Sequence, residues 1–282
     1  MIQLLSIYVW TIFAGVMTAA ALTLIGSQLA SRGQSVQALV ISQGSSLGAV
    51  AGFGLLHLFH YSHDHGDFSL FSLPLLGSLL AGTGAALLCE RITLPARNTH
   101  YIALFAVFLS LTYLLTALVP SLETHMATQF FGDLAVISNL EAQTSLVLAL
   151  IVLFLLLRYW RRISEASFDI ATFGRVLPDR SKPAINRLFL ALSLFTICVS
   201  IQFMGLLFAI SSLFLVPVML SQKLQGLKFY TVGSILIAAI GTLGGFIISL
   251  WHGNLPTVPA VALSFLVIGV VANQLVSIAA RN

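Results

Sequence analysis

The sequence predicts an all-α, polytopic membrane protein with about eight to nine spans in one domain, residues 1–282. Three observations carry this. First, 58% of the residues are hydrophobic and only 8% are charged, with a mean hydropathy of +1.01; a soluble domain cannot hide so much apolar surface. Second, the apolar residues fall into runs of about 20, the length that crosses a hydrocarbon core. Third, the basic residues behind the net charge of +4 sit in the segments between those runs. There they act as topology determinants rather than as a nucleic-acid surface.

The elements follow in chain order. Leu4–Ala30 is the first candidate span. No Lys or Arg precedes Arg32, so the charged start of a cleavable signal peptide is missing and the run reads as a retained span. The turn Ser31–Ser35 carries Arg32 and leads into the second span, Val36–Leu56. Leu70–Cys89 is the third, followed by Arg91 and Arg97, and Tyr101–Val119 is the fourth. Ser145–Leu157 begins a fifth that must borrow upstream residues to cross. Leu188–Leu220 is too long for one ordinary span and suffices for two short ones, broken near Gln202 and Gly205. Phe229–Trp251 and Thr257–Ala280 close the chain.

Placing every loop that bears Lys or Arg in the cytoplasm tests this division. All 13 basic residues then agree with one layout. Arg32, Arg91, Arg97, the long basic segment, Lys223, Lys228 and Arg281 fall inside. The N-terminus and segments 57–67, 120–144 and 252–256 fall outside. The layout has about nine spans and requires 188–220 to be a helical pair.

Between their ends the spans hold no Asp, Glu, Lys or Arg. Ion-coupled carriers keep ionisable groups at membrane depth to bind the coupling ion. The absence of such groups implies an energy source on a partner. Small residues such as Gly44, Gly48, Gly52, Gly77 and Gly82 permit close helix packing instead. Cys89 and Cys198 lie in apolar runs and read as small packing residues.

Three stretches carry candidate chemistry. The external loop contains His57, His60, His63, Asp64, His65 and Asp67, donors that suit Zn²⁺ and other divalent ions. It reads as a metal capture site, and a solvated His-rich loop is the plain alternative. In the second span, Ser42, Gln43 and Ser46 share a helix face, and Gln202 is a similar polar residue later on. These four read as lining of a translocation path, with interhelical hydrogen bonding as an equal competitor. Gly44-Ser45-Ser46-Leu47-Gly48 matches a hydrolase elbow literally, but it lies inside a span with no base beside it. Pro217 should kink its helix and free backbone carbonyls that need cover.

The third stretch is the basic segment 160–187. Together with Arg158 it holds seven of the 13 Lys and Arg residues. Ser167–Leu177 is expected to form a short helix with Phe168, Ala171 and Val176 near one face and Gly174 as a break. A short helix on the cytoplasmic side suggests a docking element for a cytoplasmic partner.

Four segments in this order resemble the metal-ion (zinc, manganese and iron) permeases of ABC importers, the zinc-uptake type included. Gln129–Ser138 is similar to the family's external F-G-D/S-L-L-A-V-S segment. Phe168–Gly174 resembles its coupling segment, shortened. Val199–Pro217 is close to its V-x-x-Q-x-x-G run, and Gly244–Ser249 with Leu255-Pro256-Thr257 resembles its ending. The resemblance covers nearly the whole chain. It implies a type II importer fold, a homodimer in the bacterial inner membrane, and a cytoplasmic ATPase docked through Phe168, Asp169 and Gly174. It further implies an extracytoplasmic metal-binding protein and a transported divalent metal, zinc favoured, with no permanently bound cofactor. The chain is then a transport subunit rather than an enzyme, since it has no phosphate-binding loop. Two departures stand out. Leu39 and Gln43 occupy the places of a family Asp and His in the second span, and Val258 replaces a glycine after Leu255-Pro256-Thr257. A stand-alone secondary metal carrier and a permease for a chelated or non-metal cargo are the alternatives.

Overall fold

The computed structural model describes residues 8–58, 73–92, 97–173, 182–221, 227–252 and 255–279. Among these every regular element is helical. The long helices are α1 (Val9–Ser31), α2 (Ser35–Leu58), α3 (Leu73–Arg91), α4 (Arg97–Leu118), α6 (Asn139–Phe173), α7 (Lys182–Met204), α10 (Leu227–His252) and α11 (Thr257–Ala279). All eight are long and apolar enough to cross a membrane. The short α5 (Glu123–Phe131) lies between α4 and α6. After α7 come α8 (Leu206–Ile210), a π-turn (Ser211–Leu215) and α9 (Val216–Ser221).

Helix ends follow local chemistry. Gly33 takes a left-handed φ of 66° after α1. Its N–H donates to Ala30 at 3.0 Å and the Gln34 N–H to Leu29 at 2.9 Å. This is the Schellman arrangement, which satisfies carbonyls that the helix end leaves open. It turns the chain back within three residues and starts α2. At the start of α6, the Ser138 N–H and hydroxyl donate to the Glu141 carboxylate at 3.0 and 2.9 Å, and the Glu141 N–H donates back to Ser138 Oγ at 3.3 Å. That reciprocal box satisfies the first donors of the helix.

Helices α1 and α2 form the centre of the bundle and α4 its periphery. Small residues bring α2 and α3 together: a Cβ on Gly48 would overlap the Gly77 carbonyl, and one on Gly44 would stand 2.7 Å from Ala85 Cβ. Without those side chains the two backbones touch, which gains dispersion contact where lipid supplies no hydrophobic drive.

Two sequence expectations need correction. The segment 167–173 is not a separate short helix. It continues α6, a single 35-residue helix from Asn139 to Phe173. No Gly or Pro occurs from Arg158 to Phe173 to interrupt the hydrogen-bond ladder. A helix of this length is about 52 Å long, well beyond a hydrocarbon core of about 30 Å. The apolar stretch ends at Leu157 and the sequence turns polar from Arg158, so the excess length falls in the C-terminal part of the helix, an arm of about four turns. The run 188–220 does break at Gly205, as expected, but unequally. The first part is a full span, and Leu206–Leu220 is a shorter apolar helix. It includes the π-turn, one turn before Pro217. The pyrrolidine ring would clash with the carbonyl four residues back, and a wider turn relieves that. The carbonyls of this region are covered: Thr23 Oγ1 donates to the Ser212 carbonyl at 3.0 Å, and the Tyr230 hydroxyl to the Pro217 carbonyl at 3.0 Å.

Candidate functional site

Three regions bear on function, and they lie at the two ends and the middle of the bundle. At the end that the charge rule places outside, three segments far apart in sequence converge. Gln129 on α5 donates from Nε2 to Oε1 of Gln202 on α7 at 3.3 Å. Gly132 and Gly205, both with positive φ (63° and 92°), pack backbone to backbone. The Asp133 carboxylate accepts from the Ala135 N–H at 3.0 Å and from the Thr257 hydroxyl at 2.8 Å. Thr257 Oγ1 in turn accepts from the Leu134 N–H at 2.7 Å. Ser249 closes the same corner by donating to the Leu255 carbonyl at 2.6 Å. Val258 is fully buried beside Gly132 and uses the space in this corner that a glycine would leave open. The meeting of Gly132, Gly205 and Thr257 agrees with the layout that puts segments 120–144 and 252–256 on one side.

In the middle, the polar face of α2 is sealed. Ser42, Gln43, Ser45 and Ser46 are each 0% exposed. Ser42 donates to the Ala38 carbonyl of its own helix at 2.8 Å. Ser45 meets Cys198 Sγ on α7 at 3.3 Å. Among the described residues neither polar atom of the Gln43 amide, nor the Ser46 hydroxyl, has a hydrogen-bond partner. An unmet buried polar group costs about 1–3 kcal/mol. Of the four predicted path residues, Gln202 lies apart, in the outer cluster with Gln129.

At the opposite end, which the charge rule places inside, the arm of α6 carries Phe168, which is 67% exposed. Asp169 does not project with it. It is 5% exposed and accepts from Lys182 Nζ, at the start of α7, at 2.7 Å. Thus Phe168 is the exposed member of the pair, and Asp169 ties the arm to the next span. Gly174 lies outside the described residues. Deeper in, Arg32 is also 5% exposed. Its Nε donates to Ser167 Oγ on the arm at 2.9 Å, and its Nη1 donates to Asn186 Oδ1 on α7 at 2.7 Å. Its guanidinium carbon lies 4.2 Å above the Phe189 ring. Burial pulls the Arg32 guanidinium down to about 10, so it stays cationic at neutral pH.

Of the histidine-rich segment, His57 lies in the last turn of α2 and is exposed. His60, His63, Asp64, His65 and Asp67 lie outside the described residues. On α5, His125 stacks on Phe53, with ring centroids 4.4 Å apart and planes at 9°. Phe53 lies one helical turn before His57, so this stack is close to the loop's first histidine. Among the described residues no three His, Cys, Asp or Glu side chains converge as a metal group.

Sequence reasoning misses Arg32 and the Asp133–Thr257 contact. In one dimension Arg32 counts only as a topology signal. Its place in a turn between two spans, on the side of the basic segment, is the trace that points to it. The Ser138–Glu141 box is legible as S-x-x-E before an apolar run.

Residues 5–275 match the ABC 3 transport family. The chain belongs to that family. Its fold is similar to PsaBC from Streptococcus pneumoniae solved in complex with a Fab. That match has a TM-score of 0.71 and 17% identity, and covers 92% of this chain and 89% of the other. It is also similar to an inward-facing structure described as a metal-chelate type ABC transporter. There the TM-score is 0.67 and the identity 17%, with 94% of this chain and 86% of the other covered. No curated protein sequence matches the chain.

Proposed function

We propose that this chain is the membrane permease subunit of an importer for a divalent metal ion, zinc favoured, driven by a separate cytoplasmic ATPase. Family membership supports transport. A metal-containing cargo is supported by the similar fold of a transporter of the metal-chelate type. The observation that carries the division of labour is the arm of α6. Its C-terminal turns run on beyond the apolar stretch and leave Phe168 exposed, which supports a docking role. The ATPase docks there, and an extracytoplasmic metal-binding protein delivers cargo to the outer loops. The working unit is a homodimer in the bacterial inner membrane. The loop His57–Asp67 supplies nitrogen and oxygen donors for capture. Imidazole favours zinc over manganese, which prefers oxygen ligands.

A second reading has a specific observation behind it. Leu39 and Gln43 are uncharged, and the buried polar groups of α2 are neutral amides and hydroxyls. A bare divalent cation at that depth lacks an anionic counter-charge, whereas a chelate brings its own ligands. A stand-alone ion-coupled carrier fits less well, because no charged side chain occurs between the span ends.

The test is metal-dependent ATPase stimulation. The chain is reconstituted with its neighbouring ATPase and binding protein and titrated with Zn²⁺ and Mn²⁺. Wild type is compared with the variant in which His57, His60, His63 and His65 are all Ala. Zinc stimulation that weakens in the variant supports zinc import through the loop. Stimulation that the variant leaves unchanged removes the loop from the mechanism. No response to either metal, with a response to a metal chelate, favours the second reading.

A further inference from the structure

Among the described residues Arg32 is buried without an acidic partner. Its hydrogen bonds go to Ser167 and Asn186, both neutral. Neither ion pair among the described residues involves it. Its Nη2 is buried and has no acceptor. A buried cation with neutral acceptors and an unmet donor is a poor source of stability; a well-packed apolar residue is often better. What the guanidinium does supply is a rigid fork that holds two directions at once. One arm grips α6 at Ser167, the residue next to Phe168. The other grips α7 at Asn186, and the flat face rests on Phe189. Ser167 Oγ is itself fixed by donating to the Ile163 carbonyl at 2.9 Å. One turn earlier on α1, Gln28 Nε2 donates to Ser164 Oγ at 3.2 Å. The inner end of α1 is therefore fastened twice to the arm that carries Phe168.

The other side of α1 is fastened to the π-turn. Thr23 donates to the Ser212 carbonyl at 3.0 Å. A Cβ on Gly26 would overlap the Leu213 carbonyl, so the two backbones are in direct contact. From Thr23 to Arg32 the helix is continuous, a rod of about 14 Å. The π-turn is the irregular element of the broken helix. It is wider than an α-turn by one residue, and Ser212 Oγ within it has no partner. Such turns are rare inside helices and occur frequently at functional sites.

We propose that Arg32 is the positioning residue that couples the docking arm to the broken helix 206–221, with α1 as the connecting rod. Movement of the arm against α7 pulls the Arg32 fork. The fork displaces the inner half of α1, and α1 shifts the π-turn through Thr23 and Gly26. This rests on the reading of the arm as the ATPase docking site.

The test needs no cargo. The permease and its neighbouring ATPase are co-purified into nanodiscs. Deuterium uptake over residues 201–221 is then measured with and without ATP plus vanadate. Wild type should show a nucleotide-dependent change in uptake. Arg32→Gln should retain ATPase co-purification and melting temperature, yet shrink that change by roughly fivefold or more. Arg32→Lys, which keeps the charge but not the fork, should fall between. If Arg32→Gln does not assemble, the double variant Ser167→Ala with Asn186→Ala removes the same grips and carries the same expectation. A full wild-type response in an assembled variant that has lost the fork overturns the proposal. Two separate results strike the docking reading instead: a wild-type complex with no nucleotide response, or undiminished co-purification after Phe168→Ala.

Discussion

Gly132 and Gly205 touch backbone to backbone: a Cβ placed on Gly205 would stand 2.7 Å from the Gly132 nitrogen. Both residues adopt a backbone open essentially to glycine alone, with φ 63° and ψ 158° at Gly132 and φ 92° and ψ 160° at Gly205. One ends α5 and the other separates α7 from α8, so the contact locks the outer segment onto the break in the long apolar run. Gly132→Ala should cost about 1–3 kcal/mol from the backbone alone. The overlap of its Cβ with the Met204 carbonyl adds to that. Fluorescence-detected size exclusion after heating should show a clearly lower melting point. An unchanged one would mean that the two segments do not pack this way.

The Asp133–Thr257 bond is tested by a graded pair. Thr257→Val removes the hydroxyl that donates to Asp133 and accepts from the Leu134 N–H. Leaving the Leu134 N–H unmet in a buried corner, and Asp133 with only its bond from the Ala135 N–H, should cost about 1–3 kcal/mol. Thr257→Ser keeps the hydroxyl and should recover most of it. Equal melting points for the Val and Ser variants would contradict the geometry.

Two glycines in the α2–α3 pair should behave oppositely. Gly48→Ala drives a methyl into the Gly77 carbonyl and should destabilise by about 1–3 kcal/mol or more. Gly84 has open space where its Cβ would go. Gly84→Ala should be neutral or stabilising by up to about 1 kcal/mol, because alanine favours the helix. Thermal stability of both variants in one detergent decides this.

Asp169 and Lys182 should separate structure from docking. Asp169→Asn weakens a buried ion pair and should lower stability by about 1–3 kcal/mol. Phe168→Ala should leave stability within about 0.5 kcal/mol and reduce ATPase co-purification instead. The two readouts should cross over. If Phe168→Ala lowers the melting point as much as Asp169→Asn does, the exposed ring is a packing residue.

Much of the architecture is legible one-dimensionally. The spans, the break at Gly205 and an irregular helix around Pro217 follow from local hydropathy and breakers. The expected short helix at 167–177 fails because its boundary follows the change from apolar to polar sequence. The backbone ladder continues through that change as long as no Gly or Pro intervenes. The candidate site is legible only in its parts. Gln202 and Gln129 both stand out as members of their segments, yet their pairing joins residues 73 positions apart.

The sequence alone determined that this chain is a bundle of spans with one basic side, because span length and loop charge are properties of consecutive residues. Tertiary structure decided which polar residues work together. It brought Asp133 to Thr257 across 124 positions and Arg32 to Ser167 across 135. It also turned Asp169 inward while leaving Phe168 out. The physical reason is that a polar group buried in a bundle must take whatever donor or acceptor helix packing presents. Which helices pack is settled by close backbone approach at glycines and by side-chain shape over the whole fold.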